Sequence, residues 1–246
     1  MAEFDRPTIA SARAGTAAAI DEGLRSYMLK VYNYMGIGLV VTGLVAYFSN
    51  QAAVSNGQLT AWGELLYTSP LMWVVALAPL AFVLVLSFGI NKLSVAATQA
   101  TFWGFAAIMG LSLSSIFMVY TDASIAKVFF ITAATFGAMS LYGYTTKRDL
   151  TGIGNFLIMG LIGLIIASIV NIFLASSMLE FAISAIGVLI FVGLTAYDTQ
   201  KIKESYNEGM GAELLTKGAV MGALSLYLDF LNLFLMLLRL FGQQRN

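Results

Sequence analysis

Apolar residues run along this chain in long blocks separated by short polar stretches. Seven blocks, at 31–49, 71–90, 96–120, 125–144, 155–175, 179–198 and 219–240, are long enough, or nearly so, to cross a bilayer. A helical crossing needs about 20 residues. The block at 179–198 is the shortest by its purely apolar count. The pattern predicts an all-α membrane protein with seven transmembrane helices, forming one transmembrane domain over 31–246. Residues 1–30 are polar and are expected to form a separate cytoplasmic N-terminal segment, mobile or amphipathic. They lack the apolar core of a cleavable signal peptide.

Basic residues orient the expected bundle. With the N-terminus inside, the cytoplasmic segments carry Arg6, Arg13, Arg25, Lys30, Lys92, Lys147, Arg148, Lys201, Lys203 and Lys217, and the other side keeps Lys127, Arg239 and Arg245. Such an excess marks the cytoplasmic side. An odd number of spans then puts the C-terminus outside, periplasmic in a bacterium. Tyr142 and Tyr144, beside Lys147 and Arg148, suit an aromatic belt at the cytoplasmic interface.

The seventh block is patterned within itself. Gly218, Gly222, Ser225, Asp229, Asn232, Met236 and Arg239 follow one another at steps of three or four, so they share one helix face. Off that stripe the segment is apolar apart from the Tyr227 hydroxyl. Small residues allow close helix approach and a charge avoids lipid, so the stripe should face the protein interior or a water-filled cavity. Leu226 and Leu233, off the stripe, should tolerate other large apolar residues. Asp229 is then either a protonated carboxyl that holds helices together or part of an ion or proton path.

Composition agrees with the pattern and narrows the chemistry. The chain is 59% hydrophobic and 11% charged, with a mean hydropathy of +0.83, and it contains no Cys and no His. Disulfides, thiol catalysis and Cys-held metals are excluded, as are Ser–His chemistry and His-based pH sensing. No nucleotide-binding loop or basic–aromatic nucleic-acid patch is present, so the partner that composition leads one to expect is membrane lipid. No nucleic acid and no cofactor are expected. Any proton or cation chemistry falls to carboxylates.

Asp198, in "GLTAYDTQKIKE", is the natural partner for Asp229. Read alone, it is also a helix-end residue, solvated or paired with Lys201 at i+3. Pairing it with Asp229 raises a problem of depth, because Asp229 lies about 11 residues into its block, or about 16 Å by helix rise. Two carboxyls at hydrogen-bond distance do not both ionise cheaply, so they share a proton and titrate together. When both are ionised, repulsion separates them and their oxygens suit a hard cation such as Ca²⁺, which takes six to eight oxygens. Asp198 and Asp229 with Ser225, Asn232 and water would make a loose, transient Ca²⁺ site. Asn171 either lines the path as a further candidate or makes a helix–helix hydrogen bond. Gly160, Gly163, Gly187 and Gly193 with Ser112, Ser114 and Ser115 read as packing positions. Pro70 suits a helix start and Pro79 a kink.

Three stretches together, "FGAMSLYGYTTKRDLTGIGNFL", "AYDTQKIK" and "LYLDFLNLFLMLLRLFG", resemble the Bax inhibitor-1 family over about residues 24 to 242. The first is similar to the bacterial inner-membrane branch. The resemblance implies a central seventh helix wrapped by the other six, a pH-sensitive calcium leak, and gating by paired aspartates on helices six and seven, here Asp198 and Asp229. It also implies a basic latch, for which Lys92 is the candidate. The third block reads "GLSLSSIF" where many eukaryotic members carry Gly–Pro. The loop "KESYNEGMGAELL" is longer than in compact bacterial members.

The competing reading, also from the family, is a membrane-embedded regulator of another membrane protein, such as a membrane-bound AAA protease, without ion conduction. A presenilin-like protease would require Gly-x-Gly-Asp at the second aspartate and a later Pro-Ala-Leu. The chain has "LYLD" and no such later motif, so no enzyme is expected.

Overall fold

The computed structural model describes residues 6–245, with side-chain surroundings from residue 21 onward. Its helices are α1 (Arg6–Ala53), α2 (Ala61–Tyr67), α3 (Leu71–Gly89), α4 (Val95–Leu113), α5 (Ile116–Val119), α6 (Asp122–Thr145), α7 (Thr151–Leu174), α8 (Ser177–Glu204) and α9 (Ala212–Phe241). Seven stretches are long and apolar enough to cross a membrane: Asp21–Ala53, Leu71–Gly89, Val95–Val119, Asp122–Thr145, Thr151–Leu174, Ser177–Glu204 and Ala212–Phe241. The fold is an all-α membrane bundle, and these correspond one for one to the seven apolar blocks. Residue 30, the expected segment boundary, falls inside α1, which continues through it without a break. Residues 1–5 lie outside the described residues.

Local signals explain where several helices begin. The side chains of Thr60, Ser94, Thr121 and Ser176 each accept a hydrogen bond from the N–H three residues on, capping α2, α4, α6 and α8. Pro70 precedes α3. Asp149 Oδ1 accepts the Thr151 N–H at 2.8 Å. Hydrogen bonds from the Thr151 hydroxyl and N–H hold that exposed carboxyl below its ordinary range. The third span is interrupted: α4 ends at Leu113 and α5 resumes at Ile116. At the break the Ser114 hydroxyl donates to the Leu111 carbonyl and accepts from Tyr67. Ser114 is fully buried, so it acts as a joint rather than a simple packing position. Between α1 and α2 lies a two-stranded hairpin, Val54–Ser55 with Gln58–Leu59, turned by Asn56 and Gly57 at positive φ, which is the Asn-Gly hairpin preference.

The bundle is organised about α9. Of its apolar stretch 72% is buried, against 39% for α8 and 6% for α7. It packs extensively against α1, α4, α6 and α8, while α3 packs on α4 and α7 on α8. Direct packing around the seventh span is therefore by four helices, where six were expected. The two outer helices are the most hydrophobic of the seven, so lipid satisfies most of their surface. The gap they leave beside α9 forms the cavity described below.

Leu226 and Leu233 are completely buried. The expectation that they would tolerate other large apolar residues is corrected. Their side of α9 faces close-packed neighbours, where added volume is costly. Tyr227 shows how that side is fixed: its hydroxyl lies 2.7 Å from the Thr42 hydroxyl, and its ring meets Phe102 and Phe105 edge-on. At the far end of α9, Arg245 pairs with Asp122 at 2.7 Å and its N–H reaches the Val119 carbonyl. Asp122 thus anchors the C-terminal segment.

Candidate functional site

Four consecutive residues of α8 point to four different neighbours. The Tyr197 ring lies so close to Gly154 of α7 that a β-carbon there would overlap it. The Thr199 hydroxyl stands 3.0 Å from Ser140 of α6, whose oxygen is 2.7 Å from Tyr32 of α1. Gln200 accepts the Leu150 N–H and donates to the Arg148 carbonyl, each at 2.8 Å, tying α8 to the loop between α6 and α7. Asp198, on the remaining face, turns toward α9 and interacts with Asp229. Three neighbours thus fix the helix that presents the carboxyl. Gln200 carries no charge and belongs to no motif chemistry, so its bonds to a loop 50 residues earlier were not readable from the sequence.

The structure resolves the problem of depth. Ile202 lies opposite Gly222 and Gly187 opposite Met236. This antiparallel register puts Asp198 level with Ser225 and Leu226, so Asp229 sits about one turn deeper, some 5 Å. In a helix each Cα–Cβ bond tilts toward the N-terminus. Asp198 on α8 and Asp229 on the oppositely running α9 therefore lean toward one another, which closes the gap. The hydropathy boundary had misled because both helices extend past the apolar run: α8 continues six residues beyond Asp198, to Glu204, and α9 starts at Ala212.

Both aspartates line a cavity of about 1010 Å³. From α9 the wall includes Gly218, Gly222, Ser225, Asp229, Asn232 and Met236, six of the seven stripe positions. Arg239 is exposed and lies off the cavity wall. Asp229 is only 5% exposed, and its Oδ2 has no hydrogen-bond donor among the described residues. An ionised carboxylate only accepts hydrogen bonds. The contact with Asp198 therefore becomes a hydrogen bond only when one of the two carries a proton.

The other candidates separate cleanly. Ser225 and Asn232 line the cavity, and the Asn232 amide also donates to the Leu228 carbonyl at 2.8 Å. Asn171 is placed elsewhere: its carbonyl oxygens accept from Ser176 and Ala175 at the end of α7, where Ala175 turns the chain with φ of 48°. Lys92 occupies the exposed turn between α3 and α4 and is not on the cavity wall. The cation on the wall is Lys201. It makes no ion pair among the described residues, and its ammonium lies 5.9 Å from the Tyr197 ring centroid. The i+3 contact with Asp198 is not a close ion pair, although the Lys201 charge still acts on that carboxyl, which also faces Asp229. Among the described residues no group of three or more His, Cys, Asp or Glu side chains is placed to hold a metal. Two carboxyls, one amide and one hydroxyl fall short of the six to eight oxygens of a tight calcium site.

Comparison with known proteins adds an independent line. The family described as "Inhibitor of apoptosis-promoting Bax1" matches residues 24–246. The inner membrane protein YbhL of Escherichia coli strain K12 is 52% identical over 232 residues, covering 91% of this chain and 94% of that protein. The protein RP147 of Rickettsia prowazekii is 47% identical, covering 92% of this chain and 93% of its own. A membrane protein of Streptococcus pyogenes serotype M3 is 37% identical, with 91% and 95% covered.

Proposed function

We propose that this chain, which belongs to the Bax inhibitor-1 family, is a calcium-permeable leak of the inner membrane, with Asp198 and Asp229 as its pH-sensitive gate. The observation that carries the reading is the meeting of two carboxyls in a cavity of about 1010 Å³, inside a helix bundle where uncompensated charge is costly. With one proton shared, the pair is bridged and the ion path past it is closed. With none, the two charges repel and offer their oxygens to a cation. Calcium is the permeant substrate here. No cofactor and no enzymatic step enters the reading, since the chain has no His or Cys and its carboxyl pair lacks a protease motif.

The test is calcium entry into proteoliposomes holding the purified full chain. Entry above that of protein-free vesicles, increasing from about pH 5 to pH 8, is expected. Absence of entry at every pH removes the leak and leaves the alternative, a membrane-embedded regulator of another membrane protein such as a membrane-bound AAA protease. One feature favours that alternative: Met210, in the α8–α9 loop, and Leu214, in the first turn of α9, are 40% and 57% exposed, which offers an apolar contact at that end of the bundle.

The proposed orientation has the N-terminus in the cytoplasm and the C-terminus outside. It rests on the clustering of Arg25, Lys30, Lys92, Lys147, Arg148, Lys201 and Lys203 at one end of the spans. A reporter fused after Asn246 should be active on the outer side, and activity in the cytoplasm would reverse the assignment.

A further inference from the structure

The cavity that holds the carboxyl pair is open on one flank. Helices α3 and α7 make no extended contact with each other. The wall residues Leu80 of α3 and Ile165, Ile169 and Ile172 of α7 are between 51% and 77% exposed. The opening is thus continuous with the lipid-facing surface of the bundle. Along α7 the wall runs from Ile158 to Ile172, about 21 Å at the rise of an α-helix. One leaflet of the hydrocarbon core is roughly 15 Å deep. The space is therefore long enough for a lipid chain and apolar along its outer side. Its end near the α8–α9 loop carries Lys201 and Ser205, and a lysine in that place extends its ammonium toward the interface while its stem lies on apolar surface.

We propose that this cavity binds one anionic phospholipid of the surrounding bilayer, its phosphate at Lys201 and one acyl chain lying between α3 and α7 beside the two aspartates. Water against these Leu and Ile walls is unfavourable, and an acyl chain removes that apolar surface from it. The Lys201 ammonium, in no ion pair among the described residues, supplies the headgroup preference. A zwitterionic lipid presents the same phosphate with a cation attached, which Lys201 repels. A chain in this position displaces water from beside the carboxyls, so lipid occupancy and ion access are alternatives. Lipid binding shares its cavity with the proposed leak but does not require conduction.

Native mass spectrometry of the detergent-purified full chain, mixed with phosphatidylglycerol or phosphatidylcholine of the same acyl chains, tests the proposal. The expected result is a one-to-one adduct with preference for phosphatidylglycerol. Ser168→Trp, which fills the cavity from the α7 wall, should reduce that adduct at least tenfold, and Lys201→Gln should abolish the headgroup preference while lipid is still held. Should Ser168→Trp fail to fold by thermal unfolding, Ile165→Trp fills the same space from a half-exposed position. Phosphatidylglycerol binding that neither tryptophan reduces would overturn the site, as would a preference that survives Lys201→Gln, or retention of detergent alone. Calcium entry measured on the same preparations keeps the two proposals distinct. An adduct without calcium entry leaves the lipid site and removes the leak, and calcium entry without an adduct does the reverse.

Discussion

Gly143→Ala is expected to lower the thermal stability of the bundle by about 1–3 kcal/mol, the usual cost of overpacking. A β-carbon at Gly143 would collide with the Ala196 carbonyl and lie 2.9 Å from its Cα. The obstruction is backbone, which has no rotamer to move aside. One turn away the same close approach holds Ser140 within 3.0 Å of Thr199, so forcing α6 and α8 apart also breaks that contact and shifts Asp198, which lies between Ala196 and Thr199. Gly222→Leu should cost less at its first carbon, because the nearest atom is the Ile202 Cγ2 at 3.0 Å, the end of a side chain that has some freedom. Gly137→Ala should be neutral or slightly stabilising. Nothing lies within 4 Å of its β-carbon position, and alanine is favoured over glycine in helices by about 1 kcal/mol. Thermal unfolding in one detergent ranks the three. Gly143→Ala as stable as Gly137→Ala would show that the α6–α8 contact does not limit the packing.

The same contact shows which parts of the fold could be read from the sequence. Seven helices were visible because lipid imposes one length and one polarity on every crossing. The stripe on α9 was visible because a helix repeats every three to four residues, and six of its seven positions do face the cavity. Which helices surround α9 was not visible. The apolar blocks of α3 and α7 look like those of α1 and α4, and only the packed bundle shows that 6% of one and 28% of the other two are buried, taking α7 against α1 and α4. Leu226 and Leu233 were misjudged for a related reason: an apolar face of a membrane helix meets lipid or protein with the same residues.

The candidate site divides in the same way. Asp198 and Asp229 stand out because charge is scarce in the spans, so their types and positions were legible. Their meeting was not, since it depends on the length of α8 past its apolar run and on the opposite lean of side chains on antiparallel helices. Lys92 and Asn171 were chosen by residue type and span position, and tertiary structure puts the cavity elsewhere. Lys201, read as a cytoplasmic basic residue or the i+3 partner of Asp198, lines the wall itself. Its place there follows from the helical continuation of α8 to Glu204, which hydropathy alone gave no reason to expect.

Asp198→Asn and Asp229→Asn should each abolish the pH response of calcium entry, and the double variant should change it little further. In the proposed gate a single proton bridges the two carboxyls in the closed state. Raising the pH removes it, and the resulting repulsion opens the pair, so entry should increase with pH. One proton changes the closed-to-open ratio by at most about tenfold per pH unit, since a unit corresponds to 1.36 kcal/mol. Asparagine keeps the size of the side chain and supplies a permanent N–H donor to the remaining carboxyl. The bridge then persists without a titrating proton, and the second charge needed for repulsion is gone. Either substitution thus removes the whole switch, which makes the pair strongly non-additive, as expected of groups in direct contact. Substitution of a carboxyl that only holds helices together would instead lower thermal stability and leave the slope of entry against pH intact. Measuring both quantities for the wild type, the two single variants and the double variant over about pH 5 to 8 separates the roles. A wild-type pH response that persists in the double variant would rule out this gate.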